Sequence, residues 1–267
     1  MTSEAVGRGD APIIDVRGVR RAFGANVAVR DVDLAVWPRE LLVILGESGS
    51  GKTTLLKMMN RLQPPDAGEV LIEGRSTSAV PGHELRRGIG YVFQRVGLFP
   101  HMSVADNIAI TPRLLGWADE RVRERVAELL RLVNLPAEMA GRFPAALSGG
   151  QRQRVGVARA LAALPKIMLM DEPFGALDPV TRDTLGTEYR QLHDRLGLVT
   201  VMVTHDVLEA LLLADRIVVM REGAIVASGT PREIMNTRDD AGVRHLMDMP
   251  RRQMKRVAAM LDEAGRS

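Results

Sequence analysis

The chain has 267 residues, a formal net charge of +3, 46% hydrophobic residues and no cysteine. This composition is that of a folded globular protein and excludes extensive disorder, while the lack of cysteine excludes disulfides and thiolate metal sites and favours a reducing, intracellular compartment. No basic run indicates a nucleic-acid patch, and no stretch reaches the roughly 18 apolar residues of a membrane-spanning helix.

The first elements are predicted strands that lead into a glycine-rich turn. Residues 1–12 lack the apolar core of a signal peptide and are expected to form a flexible N-terminus. Runs of β-branched residues predict three strands, at residues 13–19, 32–36 and 41–45. The third strand runs directly into Gly46, and helix formers from Lys52 onward predict a helix that ends before Pro64.

The middle of the chain changes to helical periodicity. Five apolar residues fall on one face of a predicted helix, namely Val122, Val126, Leu129, Leu130 and Val133. We therefore expect a helical subdomain, over about residues 96–160, inserted into an α/β core.

Strands and helices alternate again after Pro165. The predicted strands lie at residues 167–170, 199–203, 217–220 and 224–227, with helices between the first three. Glu222 and Gly223 predict a hairpin turn between the last two. Residues 237–267 are expected to form a helical extension, whose apolar stripe contains Met254, Val257, Ala258 and Leu261. A solvated helix docked on the domain, a membrane-surface helix and a dimerisation helix remain open for it.

Residues 46–53, GESGSGKT, match the phosphate-binding pattern G-x-x-x-x-G-K-[ST] between a strand and a helix. Glycines let backbone N–H groups turn toward phosphate oxygens, and the helix N-terminus adds its positive dipole end. Lys52 is expected to contact the β- and γ-phosphates, and the Thr53 hydroxyl to bind Mg²⁺. The candidate nucleotide-binding residues are Gly46, Glu47, Ser48, Gly49, Ser50, Gly51, Lys52, Thr53 and Thr54.

Two carboxylates, Asp171 and Glu172, end the apolar run that begins at Ile167. Parallel sheets present ligands at the carboxyl ends of their strands. Asp171 is expected to hold Mg²⁺ through water, and Glu172 to act as the general base for the attacking water. Without the other motifs, these two carboxylates could equally be a solvated acidic strand end.

A second anion site is predicted at LSGGQ, residues 147–151. Ser148 stands at an N-cap position, and its hydroxyl with the adjoining N–H groups of Gly149, Gly150 and Gln151 could face a γ-phosphate. Because one chain already has a phosphate loop, a second anion site is best explained by a head-to-tail dimer. In such a dimer each chain completes the nucleotide site of the other.

In this order the motifs resemble the nucleotide-binding subunits of ABC transporters over roughly residues 13–236. The resemblance implies a P-loop NTPase (RecA-like) α/β core, with an antiparallel β subdomain and an inserted α-helical subdomain, that binds ATP and Mg²⁺. By family resemblance Gln94 reaches the metal and the attacking water, His205 contacts the γ-phosphate and Asp178 links the two sites of a homodimer or a pair with a related ATPase. Phe23 looks like the aromatic on which adenine stacks, with a core aromatic as the alternative.

A finer resemblance, carried by residues 57–62, 91–107 and 112–117, is to importers of glycine betaine, choline and carnitine. It implies uptake of a quaternary amine osmoprotectant, integral membrane permease subunits, an extracytoplasmic substrate-binding protein, no nucleic acid, and a peripheral position on the cytoplasmic face of the inner membrane. Residues 95–102 are expected to receive helices of the permease, or else to be local core. Arg95 and Arg152 stand where this group often has glutamine.

Other members of the wider superfamily fit less well. Chromosome-maintenance and DNA-repair ATPases split the motifs with a long coiled coil, and translation-factor types carry two cassettes. A regulatory module without catalysis is expected to lose the base or the metal ligands. Another substrate, or export in place of import, stays open because the membrane partners decide both. The roughly 30 residues after the cassette are too few for the paired regulatory modules of many relatives, so sensing of ionic strength by that route is not expected.

Overall fold

The computed structural model describes residues 11–237 and 240–248, together with Arg252 and Arg256. The strands are β1 (Ile14–Phe23), β2 (Asn26–Val36), β3 (Leu41–Leu45), β4 (Ala67–Ile72), β5 (Arg75–Ser76), β6 (Ile89–Val92), β7 (Ile167–Asp171), β8 (Val199–Thr204), β9 (Arg216–Arg221) and β10 (Ala224–Gly229). The helices are α1 (Lys52–Met59), α2 (Gly82–Arg87), α3 (Val104–Leu114), α4 (Asp119–Leu132), α5 (Gly149–Leu161), α6 (Pro179–Leu196), α7 (Val207–Leu213) and α8 (Pro231–Asn236). Residues 241–248 are also helical.

Two sheets organise these elements. A six-stranded sheet has the order β10-β9-β3-β8-β7-β6, with β10 antiparallel to β9 and the other pairs parallel. A four-stranded antiparallel sheet has the order β2-β1-β4-β5. Every residue of β3, β7 and β8 is buried, as expected for parallel strands covered on both faces. The parallel strands therefore point their carboxyl ends to one edge.

Strand alternation divides the buried residues between two cores. Leu41, Val43 and Leu45 of β3 join the core that contains the helices after β6, whereas Leu42 and Ile44 join the core shared with α1 and the antiparallel sheet. Each fully buried leucine, isoleucine or valine contributes about 1.5–3 kcal/mol by leaving water. The central strand thus holds the antiparallel sheet and the helical layer on opposite faces.

Helices α3, α4 and α5 pack together beside the six-stranded sheet. The predicted apolar face of α4 is confirmed, since its five residues are all buried in the same core. Ser103 begins α3 by accepting a hydrogen bond from the backbone N–H of Asp106. The helical stretch therefore forms a layer of its own next to the core.

Several predicted elements are confirmed, and others differ. The strands from residues 41, 167, 199, 217 and 224 and the hairpin at Glu222–Gly223 are found as expected. The helix from Lys52 ends at Met59, before Pro64 as predicted, because Arg61 adopts a left-handed φ of 52° that no helix accommodates. Strands β4, β5 and β6 were not predicted. They lack alternation. Pairing with β1 and β7, far away in the chain, decides β4 and β6, whereas β5 has only two residues and forms a hairpin with β4 directly before it.

The described tail packs on the domain. Val243 and Met247 are buried in the core that contains the helices after β6. Arg221 donates to both carboxylate oxygens of Asp240. The predicted stripe from Met254 to Leu261 lies outside the described residues. Across the part of the chain that is described, none of the helices has the length and apolar character needed to span a bilayer.

Candidate functional site

Several of the predicted site residues lie where four parallel strands end. β3 leads into the glycine loop, Asp171 closes β7, and His205 follows β8. Gln94 lies two residues after β6. Because β3, β8, β7 and β6 are consecutive neighbours in the sheet, residues far apart in the sequence meet at one edge.

The glycine loop depends on two close backbone approaches. Gly51 has a φ of 99°, and a Cβ there would lie 2.2 Å from the carbonyl oxygen of Ala28. At Gly46 a Cβ would lie 2.3 Å from the carbonyl oxygen of Met220. Any larger side chain would displace the backbone, so the loop needs glycine at both positions. The loop is followed directly by the N-terminus of α1, whose free N–H groups form an anion site.

Lys52 is held inside the loop. Its ammonium donates to the carbonyl oxygen of Glu47 at 2.7 Å and to the Ser50 hydroxyl at 3.3 Å. Burial lowers the pKa of Lys52, and the carboxylates of Glu172, Asp171 and Glu47 oppose that shift. The loop therefore encloses a cation that is bound by two of its oxygen atoms.

Thr53 and Asp171 form the part of the site that suits a magnesium ion. The Thr53 hydroxyl donates to the Asp171 carboxylate at 2.7 Å, although 118 residues separate them. Asp171 is only 5% exposed, and burial raises its pKa. A buried carboxylate beside a hydroxyl offers hard oxygens, which fits Mg²⁺ held by few protein ligands and by phosphates.

Glu172 is fixed from two sides. Gln94 donates to one carboxylate oxygen at 2.8 Å, and His205 Nδ1 lies 3.3 Å from the other. The backbone of Glu172 has a left-handed φ of 45° and donates its N–H to the carbonyl oxygen of Val203. Strained backbone of this kind persists where surrounding contacts impose it, which here fixes the direction of a carboxylate.

Ser148 has the predicted N-cap geometry but is not joined to this cluster. It accepts from the Gln151 N–H, and the Gln151 side chain accepts from the Ser148 N–H, so both halves of a capping box are present. Among the described residues no hydrogen bond or ion pair connects residues 147–151 to the glycine loop. Within one chain the two predicted anion sites are therefore separate.

Asp178 and Phe23 make only local contacts. Asp178 caps α6 by accepting from the Thr181 N–H at 3.0 Å. Phe23 ends β1, is 44% exposed, and lies beneath the guanidinium of Arg21 at 5.1 Å from the ring centroid. The alternative of a core aromatic is wrong because the side chain is partly exposed to solvent.

Sequence reasoning missed an ion pair made by Asp206, the residue after His205. Asp206 caps α7 through the N–H groups of Leu208 and Glu209, and Arg182 of α6 donates to its other carboxylate oxygen at 2.6 Å. An aspartate directly before an apolar run is a helix-start signal that could have identified this cap. Its partner on α6 follows from tertiary packing alone.

Comparison with known proteins agrees with this geometry. A family model described as ABC transporter matches residues 29–175. The chain is 51% identical over 212 residues to the glycine betaine/carnitine/choline transport ATP-binding protein of Bacillus subtilis (strain 168), covering 79% of this chain and 56% of that protein. It is 50% identical over 219 residues to the glycine betaine uptake system ATP-binding protein of Escherichia coli (strain K12), covering 82% of this chain and 71% of that protein. The chain thus spans little more than half the length of the Bacillus relative.

Solved structures agree as well. A bacterial ABC transporter cassette, determined as a dimer, matches with a TM-score of 0.74 at 33% identity and covers 82% of this chain and 99% of that chain. The predicted P-loop NTPase core with its antiparallel sheet and helical insertion is confirmed. On the sequence match and on the fold, the chain belongs to the ABC transporter family.

Proposed function

We propose that this chain is the ATP-binding and ATP-hydrolysing subunit of an ABC importer that takes up a quaternary amine osmoprotectant such as glycine betaine or choline. The observation that carries the proposal is the position of Glu172, held between Gln94 and His205 beside the Thr53–Asp171 pair. A carboxylate fixed next to a phosphate loop and a metal-compatible pair is arranged to activate water against a γ-phosphate.

In this proposal the glycine loop and Lys52 bind the β- and γ-phosphates, and Phe23 stacks on adenine. Thr53 and Asp171 hold Mg²⁺, with Gln94 reaching toward the metal and the water. The ion supplies charge neutralisation on the phosphates when bound. Glu172 accepts the proton of the attacking water while His205 contacts the γ-phosphate, so both change partners when the nucleotide arrives.

The active unit in this proposal is a dimer. Ser148 and its capping box lie apart from the glycine loop of the same chain, which leaves their anion site free for a second copy. Asp178 would link the two sites at the interface. The related cassette determined as a dimer supports this arrangement. ATP closes the pair because the opposite Ser148 site binds a γ-phosphate that ADP lacks.

The segment after Gln94 supports a permease contact. Val96 and Leu98 are partly buried, and Leu98 packs on the core that contains α3, α4 and α5, whereas Phe99 of this segment and Phe93, just before Gln94, are exposed. These two rings line a cleft of about 300 Å³ that also contains Arg159. The partly buried residues agree with the local-core interpretation, and the exposed rings support the proposed permease contact. An apolar cleft with a basic wall is suited to a short helix of a membrane subunit.

The remaining assignments rest on the relatives. Two of them are named for glycine betaine transport, which supports a quaternary amine as substrate, together with integral membrane permease subunits and an extracytoplasmic substrate-binding protein. The chain would lie peripherally on the cytoplasmic face of the inner membrane. Nucleic acid is not a partner in this proposal.

The base is tested with Glu172→Gln. This change should lower ATPase turnover at least ~100-fold because glutamine takes no proton, while ATP binding persists. Glu138→Gln, an exposed glutamate outside the site, is the matched control and should retain wild-type turnover. If Glu172→Gln kept the wild-type ATPase turnover, the assignment of Glu172 as the general base would be wrong.

The transport role is tested separately. The chain is co-purified with its permease subunits, reconstituted in vesicles with the binding protein, and assayed for ATP-dependent accumulation of labelled glycine betaine or choline. If the complex hydrolyses ATP but accumulates neither solute, the transporter carries another substrate or works as an exporter. A stable partner without transmembrane segments would instead favour a soluble ABC ATPase.

A further inference from the structure

A cavity of about 260 Å³ lies between the glycine loop and the last described part of the chain. Residues 46–50 of the loop line one side, and residues 242, 243, 245 and 246 line another. The hairpin that joins β9 to β10 lines the rest. The function proposed above assigns no role to residues 240–248, which we name the tail segment.

The β9–β10 hairpin contacts the backbone of the glycine loop at two points. The Gly223 N–H donates to the carbonyl oxygen of Ser50 at 3.1 Å. The carbonyl oxygen of Met220 lies against Gly46, where it would be 2.3 Å from a Cβ. Because Arg221 lies between Met220 and Gly223 in the chain, a displacement of its backbone would also displace the loop.

The tail segment is attached to this hairpin at Arg221. The guanidinium donates through Nη1 and Nη2 to the two carboxylate oxygens of Asp240, at 3.0 and 3.1 Å. Asp240 Oδ1 also accepts from the Val243 N–H at 2.9 Å, so the same carboxylate caps the helix over residues 241–248. A Cβ at Gly242 would lie 1.8 Å from Arg221 Nη1, so this helix begins directly against the guanidinium.

Apolar burial and the ion pair contribute differently to this docking. Val243 and Met247 are each only 1% exposed, and burial of such side chains supplies most of the stabilisation. The side chains of Arg221 and Asp240 are 49% and 25% exposed, and an ion pair so accessible to water stabilises little. Its two parallel hydrogen bonds instead fix a direction. The apolar side chains therefore keep the tail segment on the domain, and the ion pair fixes its position against the hairpin.

We propose that Arg221 is a positioning residue for the glycine loop and couples the docking of the tail segment to the binding of nucleotide phosphates. The inference rests on the proposed function, since it requires a nucleotide in the loop. A bound nucleotide fixes the loop, the loop fixes the hairpin, and the hairpin fixes Asp240. Coupling of two binding events is reciprocal, so the nucleotide strengthens docking by the factor by which the docked tail segment strengthens nucleotide binding.

The effect of the nucleotide on docking is measured on the unmodified full chain by amide hydrogen exchange. The probe is ADP with Mg²⁺, because in the proposed function only ATP closes the dimer. Saturating ADP should slow exchange of the tail segment at least about twofold, first at the N–H groups of Val243 and Arg244, which bond to Asp240. Exchange in α4, which does not contact the loop or the hairpin, is the internal control and should not change.

The effect of docking on the nucleotide is measured with Arg221→Met, which keeps the length of the side chain and removes its donors. The KM for ATP and the Kd for ADP should rise about threefold to fivefold, while kcat stays unchanged because Glu172 keeps its contacts. Arg221→Lys keeps the charge and should recover part of the loss. Arg113→Met, which removes the exposed ion pair with Asp106 on α3, is the matched control and should keep the wild-type constants.

The outcomes separate this inference from the proposed function. If the wild type binds no ADP, the proposed function fails and this inference fails with it. If ADP binds but exchange of the tail segment is unchanged, the inference alone is overturned. It is also overturned if Arg221→Met keeps the wild-type KM and Kd, or if kcat falls while KM is unchanged. Should Arg221→Met fail to fold, the exchange measurement on the wild type decides.

Discussion

Glu209→Gln is expected to stabilise the chain at alkaline pH and to flatten the dependence of its stability on pH. Burial raises the pKa of Glu209 from an ordinary value of 4.5 to about 7, and the neighbouring Asp206 carboxylate adds to the shift, while hydrogen bonding by Thr204 and the charges of Arg182 and His205 oppose it. Between these two pKa values the folded chain keeps a proton that the unfolded chain has lost. The free energy of unfolding therefore falls as pH rises from about 4.5 to about 7, and the penalty is complete above that window.

The magnitude follows from the same two values. Linkage gives a penalty of about 1.4 kcal/mol at pH 5.5 and about 3.3 kcal/mol at pH 8. Glutamine has no such penalty, although its amide must also be accommodated in the buried site. The free energy of unfolding of Glu209→Gln minus that of the wild type should therefore be about 2 kcal/mol larger at pH 8 than at pH 5.5.

The assay is urea denaturation followed by tryptophan fluorescence at both pH values, since the chain contains Trp37 and Trp117. Glu138→Gln, at an exposed position, controls for the loss of a carboxylate and should follow the wild type at both pH values. The reasoning is refuted if the stability difference between Glu209→Gln and wild type is the same at pH 5.5 and pH 8.

Three further changes test the nucleotide site. Gly51→Ala places a Cβ against the carbonyl oxygen of Ala28 at positive φ, so it should destabilise the fold by more than about 1 kcal/mol and weaken ATP binding, as measured by thermal denaturation and calorimetry. Thr53→Ala leaves the buried carboxylate of Asp171 without its hydrogen bond, and should cost about 1–3 kcal/mol and raise the Mg²⁺ concentration needed for half-maximal ATPase; an unchanged Mg²⁺ requirement would contradict the assignment. Ser148→Arg should lower ATPase at least tenfold while a single chain still binds ATP, and unchanged turnover would argue against a site completed by a second copy.

Local patterns were enough to predict several parts of the molecule. The glycine loop, its strand and its helix follow each other in the chain, and their conformations depend on neighbouring residues. The N-cap at Ser148 also was predictable, because a capping box spans only four residues. The apolar face of α4 was predictable from its period.

The remaining contacts depend on the three-dimensional arrangement. No local signal could show that Gln94 and His205 take opposite oxygens of Glu172, or that Phe23 is exposed at the end of a strand longer than expected. Strands β4 and β6 were missed because their partners β1 and β7 lie far away in the chain, and β5 because it has only two residues.

By itself the sequence determined the family, the order of the motifs and the strand-loop-helix unit that presents Lys52, since these depend on residues close together in the chain. Only the tertiary structure decided which carboxylate meets Thr53, how Glu172 is oriented, and that Arg221 bonds to Asp240. The physical reason is that parallel strands bring their carboxyl ends to one edge, whatever the length of chain between them.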